Sequence, residues 1–378
     1  MNPLKRLQEH GQSVYLDEIR RSWLDDGTLQ TLIDRDGLRG VTSNPAIFHK
    51  AITQSDDYRE AIARLARAGG TVADAYEDIV IEDIQRAADL FAPTHEASGG
   101  KYGFVSLEVS PEVADDAEAT YREGKHLWQR LGRPNVFIKV PATAPGLDAI
   151  QRLIGDGINV NVTLLFGLER YERVIDAYVS GLEERLAAGK SVRGINSVAS
   201  FFLSRFDVMV DPLLDEIGTD EARSLRGEAA IAYAKVAYEI FSRRFSDTDE
   251  RWRPLAVAGA RVQRLLWAST GTKDPSYPDT KYVEPLIGPE TVNTMPLETL
   301  DAYRDHGDPA TRVTEGLPEA KRVIERLGAL GIGLEDVADR LETEGVEKFV
   351  KPFRGLMGAL EESLAVGKRA VADAIAKD

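Results

Sequence analysis

Lys139 sits near the end of an otherwise apolar, strand-like run, Asn135-Val136-Phe137-Ile138-Lys139-Val140-Pro141, where a solvated ammonium would not ordinarily be placed. Burial disfavours the charged form of an amine, and a desolvated lysine can add to a ketone to form a Schiff base. Making and breaking the carbinolamine, and cleaving the adjacent C–C bond, require positioned acids and bases. Glu108 and Asp17 supply carboxylates for that work. Asn44 and Asn161 could orient hydroxyls and the amine, and Thr163 could hold a water between Glu108 and Lys139. The same groups also fit a plainer account, in which the lysine snorkels to water or joins an ion-pair network that only fixes the strands. On pattern alone the two accounts stand level.

Which of them holds depends on the elements that carry these residues. Short β-like runs at 13–17, 37–44, 102–109, 135–140, 158–164, 194–200, 262–269 and 291–295 alternate with amphipathic stretches at 56–68, 72–91, 111–131, 147–153, 168–188 and 221–245. Such alternation is the pattern of βα units around a parallel sheet, and eight runs favour a closed (βα)8 TIM barrel over an open sheet. Further helices are expected at 297–304, 318–327, 334–342 and 348–375. No proline- or serine-rich linker sets them apart, so the expectation is one barrel domain over 1–378, with 297–378 mostly helical and packed on the barrel.

Alternate residues of a strand point to opposite faces. In the fourth run Asn135, Phe137 and Lys139 share a face, and in the fifth Asn159, Asn161 and Thr163 do. The third groups Phe104, Ser106 and Glu108, the first Tyr15 and Asp17, the second Thr42 and Asn44. A polar inward face is costly unless satisfied, and these acids and amides fall towards the C-terminal ends of their runs, the rim where barrels of this type build active sites. Ser200 is expected to join them from the sixth run.

Composition narrows the field. The chain of 378 residues carries a formal charge of −15 and no cysteine. Disulfides, thiolate nucleophiles and zinc-cysteine sites are excluded, and the five histidines show no ligand spacing, so no bound metal is expected. The acidic balance argues against a nucleic-acid partner and requires local Arg, Lys and backbone donors for any anionic substrate. No apolar run is long enough for a bilayer or a signal peptide, which points to a cytoplasmic protein with no membrane partner.

Five ordered motifs resemble those of the transaldolases over nearly the whole chain: Gly40-Val41-Thr42-Ser43-Asn44-Pro45-Ala46, Val105-Ser106-Leu107-Glu108-Val109-Ser110, Ile138-Lys139-Val140-Pro141-Ala142-Thr143, Gly157 through Phe166, and Ser200-Phe201-Phe202-Leu203-Ser204-Arg205. The resemblance implies a cofactor-free (βα)8 barrel of the class I aldolase group. It also implies transfer of a dihydroxyacetone unit from sedoheptulose 7-phosphate to glyceraldehyde 3-phosphate, giving erythrose 4-phosphate and fructose 6-phosphate in the non-oxidative pentose phosphate pathway. It makes Lys139 the Schiff-base lysine, Glu108 and Thr163 the holders of a catalytic water, and Asp17 the acid/base of C–C cleavage. Asn44 and Asn161 become hydroxyl-orienting amides, with Thr42 beside them, and Phe202 the aromatic at the mouth. Ser200, Arg205 and Ser269 then hold the substrate and its phosphate.

After the seventh run the sequence departs from the commoner pattern, because Gly271 stands where many members place a second phosphate arginine. Lys273 is expected to replace it, with backbone amides near Thr270 and Gly271 assisting and Lys281 as the runner-up. The proline-bearing loop and long C-terminal helices suggest the longer bacterial subgroup, and a homodimer is one assembly the sequence leaves open. A fructose 6-phosphate aldolase-like enzyme and a non-catalytic sugar-phosphate-binding barrel remain as other readings.

Overall fold

Every strand is buried along its whole length, as a parallel sheet covered by helices requires. In the computed structural model, which describes residues 2–375 and side chains to residue 365, the strands are β1 (Gln12–Leu16), β2 (Gly40–Val41), β3 (Phe104–Glu108), β4 (Val136–Pro141), β5 (Val160–Leu165), β6 (Ser197–Phe202), β7 (Gln263–Ala268) and β8 (Thr291–Met295). All neighbouring pairs are parallel and β8 closes on β1, giving the eight-stranded barrel. Met1 and residues 376–378, included in the expected domain, lie outside the described residues.

Registers fix the height of the site. Glu108 pairs with Lys139 and Lys139 with Asn161, so three adjacent strands bring these groups to one level, and Thr163, paired with Pro141, stands one step nearer the C-terminal ends. Low in the barrel, Gly40 has no side chain for a steric reason: a Cβ there would lie 2.6 Å from the Tyr15 ring and 2.5 Å from the Phe104 carbonyl.

The strand expected over 37–44 is only two residues long, because Asn44 already caps the helix Pro45–Thr53, accepting from the Ile47 amide at 3.0 Å. That helix, Ser204–Ile217 and Trp252–Ala258 were not among the helical stretches expected. The stretch 111–131 divides into a single turn, Pro111–Val113, and a helix, Ala117–Leu131, capped by Asp116. The stretch 221–245 divides at the left-handed Gly227 into Asp220–Arg223 and Ala229–Arg244. The separate helices expected at 334–342 and 348–375 are instead one, Leu334–Ile375, running through Gly345 and Pro352. Glycine suits the first break point because a Cβ on Gly345 would come within 3.1 Å of Leu164. No helix among the described residues is long and apolar enough to cross a membrane.

Candidate active site

The C-terminal ends of the strands surround a cavity of about 230 Å3, lined among others by Asp17, Lys139, Arg205 and Phe349. Lys139 is 4% exposed. Its Nζ lies 3.0 Å from Glu108 Oε2 and donates to the Ser43 carbonyl at 3.2 Å. Glu108 Oε1 has no hydrogen-bond partner among the described residues. Desolvation pushes the Glu108 carboxyl above the usual carboxylate range, with Lys139 pulling it back only in part. Asp17, partly buried, is pushed in the same direction by the same cause, again opposed by Lys139 and by the Thr42 hydroxyl that donates to it at 2.6 Å.

These raised values set a stability prediction. The folded chain retains protons on Glu108 and Asp17 at pH values where the unfolded chain has released them, so their contribution to stability falls as pH rises through the window between the two states. Glu108→Gln removes one such group. Thermal melts between about pH 4 and pH 8 should show the variant gaining on the wild-type chain as pH rises. A variant that loses ground over the same range would mean that the ion pair outweighs the burial.

A second cation, Arg205, lines the same cavity. The Arg205 guanidinium carbon lies 5.3 Å from the Phe202 ring and 5.7 Å from that of Phe349, and its Nη1 is buried with no hydrogen-bond partner among the described residues. An ion pair with Asp207 is the plain alternative for this arginine, but Asp207 is engaged by the Ala230 amide and the Tyr282 hydroxyl, at 2.9 and 2.8 Å. Ser269, in left-handed backbone at φ 55°, hydrogen-bonds Ser204 at 2.8 Å and lines the cavity. Lys273 is exposed and reaches back over the loop, where a Cβ on Gly271 would stand 3.6 Å from its Nζ. Lys281 is held elsewhere, donating to the Gly227 carbonyl at 2.6 Å.

The structure brings Asp17, Thr42, Asn44, Lys139, Ser200, Phe202, Arg205, Ser269 and Lys273 to one cavity surface. Asn161 stands behind it, donating to Ser106 Oγ at 3.1 Å and accepting from Ser200 Oγ at 2.7 Å. Thr163 is also fully buried, with its hydroxyl unpartnered among the described residues, beside Leu164 in left-handed backbone where the β5 to β6 register shifts. Such strain in a bulky residue marks a position that its surroundings over-determine.

Two contributors were not singled out in the sequence. Thr294 of β8 shares a 2.6 Å hydrogen bond with Thr42, and strand parity could have found it. Phe349, from the long C-terminal helix, places its ring 5.7 Å from Lys139 Nζ. An aromatic residue on an amphipathic helix far beyond the last strand reads simply as packing, so no local signal marks it.

Fold and site together define a (βα)8-barrel enzyme with a lysine-carboxylate centre at its carboxyl-terminal mouth. Residues 14–360 match the family described as transaldolase/fructose-6-phosphate aldolase, and the chain belongs to that family. It is 48% identical over 369 residues to a protein of Arthrobacter sp. named transaldolase, covering 97% of this chain and 99% of that one. A transaldolase of Thiobacillus denitrificans is 46% identical, with 95% and 100% covered, and transaldolase 2 of Nostoc sp. is 45% identical, with 96% and 97% covered.

Proposed function

We propose that this enzyme is a transaldolase that moves a dihydroxyacetone unit from sedoheptulose 7-phosphate to glyceraldehyde 3-phosphate through a Schiff base on Lys139. The observation that carries the reading is the buried Lys139, paired with Glu108 at 3.0 Å and lining a cavity that Asp17 and Arg205 also line. Cytoplasmic placement and a homodimeric assembly belong to the same proposal.

Lys139 passes a proton to Glu108, whose burial favours the protonated form, and the free amine adds to the donor's C2 carbonyl. Loss of water from the carbinolamine gives the iminium, and Glu108 and the Thr163 hydroxyl hold that water, a role that their buried, unpartnered oxygens support. Asp17 takes the proton of the C4 hydroxyl as the C3–C4 bond breaks, and the bonding pair enters the iminium to form an enamine. Erythrose 4-phosphate leaves. The enamine carbon then attacks the aldehyde of glyceraldehyde 3-phosphate, Asp17 returns its proton to the new alkoxide, and hydrolysis of the imine releases fructose 6-phosphate.

A transferase and a simple aldolase share every step up to the enamine. The decisive test mixes enzyme and sedoheptulose 7-phosphate with and without glyceraldehyde 3-phosphate. The proposal expects sustained release of erythrose 4-phosphate only when the acceptor is present. Equal release without it, accompanied by free dihydroxyacetone, would identify an aldolase.

Phe349 should govern that distinction by keeping water from Lys139. Phe349→Ala is expected to raise acceptor-independent turnover relative to transfer by roughly tenfold, the equivalent of about 1.4 kcal/mol between competing barriers. An unchanged ratio would remove the ring from the account. Lys273→Ala should raise KM for the phosphorylated donor with little effect on kcat, because an exposed lysine contributes to binding rather than to the reacting centre. An unchanged KM would leave the phosphate to Arg205 and the backbone.

A further inference from the structure

The geometry points to a second binding site at the opposite end of the barrel, for a compact organic anion with a carboxylate or phosphate head and a small apolar body. A cavity of about 250 Å3 lies at the N-terminal ends of the strands, lined by Tyr15, Phe104, Phe137 and Val198 and by the charged groups Lys101, Arg261, Arg264 and Glu290. It is separate from the Lys139 cavity, with which it shares no lining residue.

Its charge balance is unlike that of the chain, which carries −15 overall. Three cations face a single carboxylate, and Arg39 adds a fourth, stacked 3.7 Å from the Tyr102 ring that Arg264 and Lys101 also approach at 5.3 and 5.7 Å. Glu290 pairs with Lys101 at 2.5 Å and stands 3.7 Å from Arg264 Nε. Among the described residues Arg261 is held only by neutral acceptors, the Gly99 and Gly100 carbonyls and Asn196 Oδ1.

Two buried donors are left over. Arg264, 7% exposed, donates through Nη2 to Ser13 Oγ at 2.7 Å and the Thr291 carbonyl at 2.8 Å, but its Nε has no hydrogen-bond partner among the described residues. The fully buried Tyr15 hydroxyl has none either, and burial pushes its pKa up to about 12, so it remains a donor. Burying guanidinium charge against neutral partners is costly, and on the N-terminal face of a barrel, which ordinarily serves stability, such a cluster is unusual.

Glu290 adds strain, being one of three non-glycine residues in left-handed backbone among the described residues. Of the other two, Ser269 lines the Lys139 cavity and Leu164 follows Thr163 on β5. The apolar walls include Phe104 and Phe137 stacked at 4.3 Å, which suit a flat apolar body, and the volume is below the ~300–1,000 Å3 typical of drug-sized ligands. Phe137 and Val198 lie one side-chain layer beneath Lys139 and Ser200 on β4 and β6, and Tyr15 of β1 lies two residues before Asp17, so an occupant would press directly on the support of the active site.

The site is independent of the reaction proposed above. Calorimetric titration of the full-length Arg205→Ala protein, in which the mouth has lost its main anion ligand, with benzoate and separately with inorganic phosphate tests it. Saturable, salt-sensitive binding of at least one probe is expected, weakened by roughly tenfold or more in Arg205→Ala/Arg264→Gln and again in Arg205→Ala/Lys101→Glu, where a surface-reaching side chain is changed. Benzoate binding alone would identify a carboxylate site, and phosphate binding alone a phosphate site. Absence of binding by both probes would overturn the proposal, as would binding that ignores both second substitutions.

Discussion

Lys139→Met is expected to leave the barrel folded and to lower kcat by on the order of 10^6-fold, the scale on which removal of a covalent nucleophile is felt. Methionine keeps most of the unbranched stem in a fully packed strand, so the substitution leaves little cavity. The charge balance is also tolerable. Glu108 loses its close cation, but burial already drives its carboxyl towards the protonated form, and without Lys139 it moves further that way. A neutral acid replaces a buried ion pair, and no isolated charge remains on that residue. Thermal melting checks the fold and transfer of the dihydroxyacetone unit checks the activity. A folded variant with more than about one per cent of wild-type kcat would exclude a covalent role for the lysine.

The second large effect is expected at Arg205. Its guanidinium is braced between Phe202 and Phe349, its Nη1 is unpartnered among the described residues, and desolvation lowers its pKa, all signs of a cation arranged for a ligand. Two charge-assisted hydrogen bonds of about 1.5–3 kcal/mol each imply that Arg205→Ala lowers kcat/KM for a phosphorylated donor by roughly 10^2–10^4-fold. Dihydroxyacetone-bearing sugars without a phosphate should lose much less. Steady-state kinetics on matched donors with and without the phosphate separate the two cases. Equal losses on both would place Arg205 in the architecture of the mouth.

Strand parity made much of the site legible, because a period of two fixes which residues share a face irrespective of the helices between strands. Asp17, Thr42, Glu108 and Lys139 converge on that logic alone. Parity gives a face, but not what a side chain does there. Asn161 has the expected face, yet both ends of its amide are taken by Ser106 and Ser200. Asn44 has half its amide committed to capping the next helix. Phe349 shows the other limit: its place depends on one helix continuing through Gly345 and Pro352, where local propensity favours a break. Tertiary contact overrode that preference, and it turned a segment expected to be peripheral into part of the mouth.

The central claim is covalent capture by one lysine. Incubation with fructose 6-phosphate followed by borohydride reduction and peptide mass spectrometry addresses it directly, since reduction converts an imine into a stable secondary amine. The account predicts a single modified residue, Lys139, with no modification in Lys139→Met. Unmodified Lys139 in protein that still binds and turns over the sugar, or an adduct on a different lysine, would contradict it.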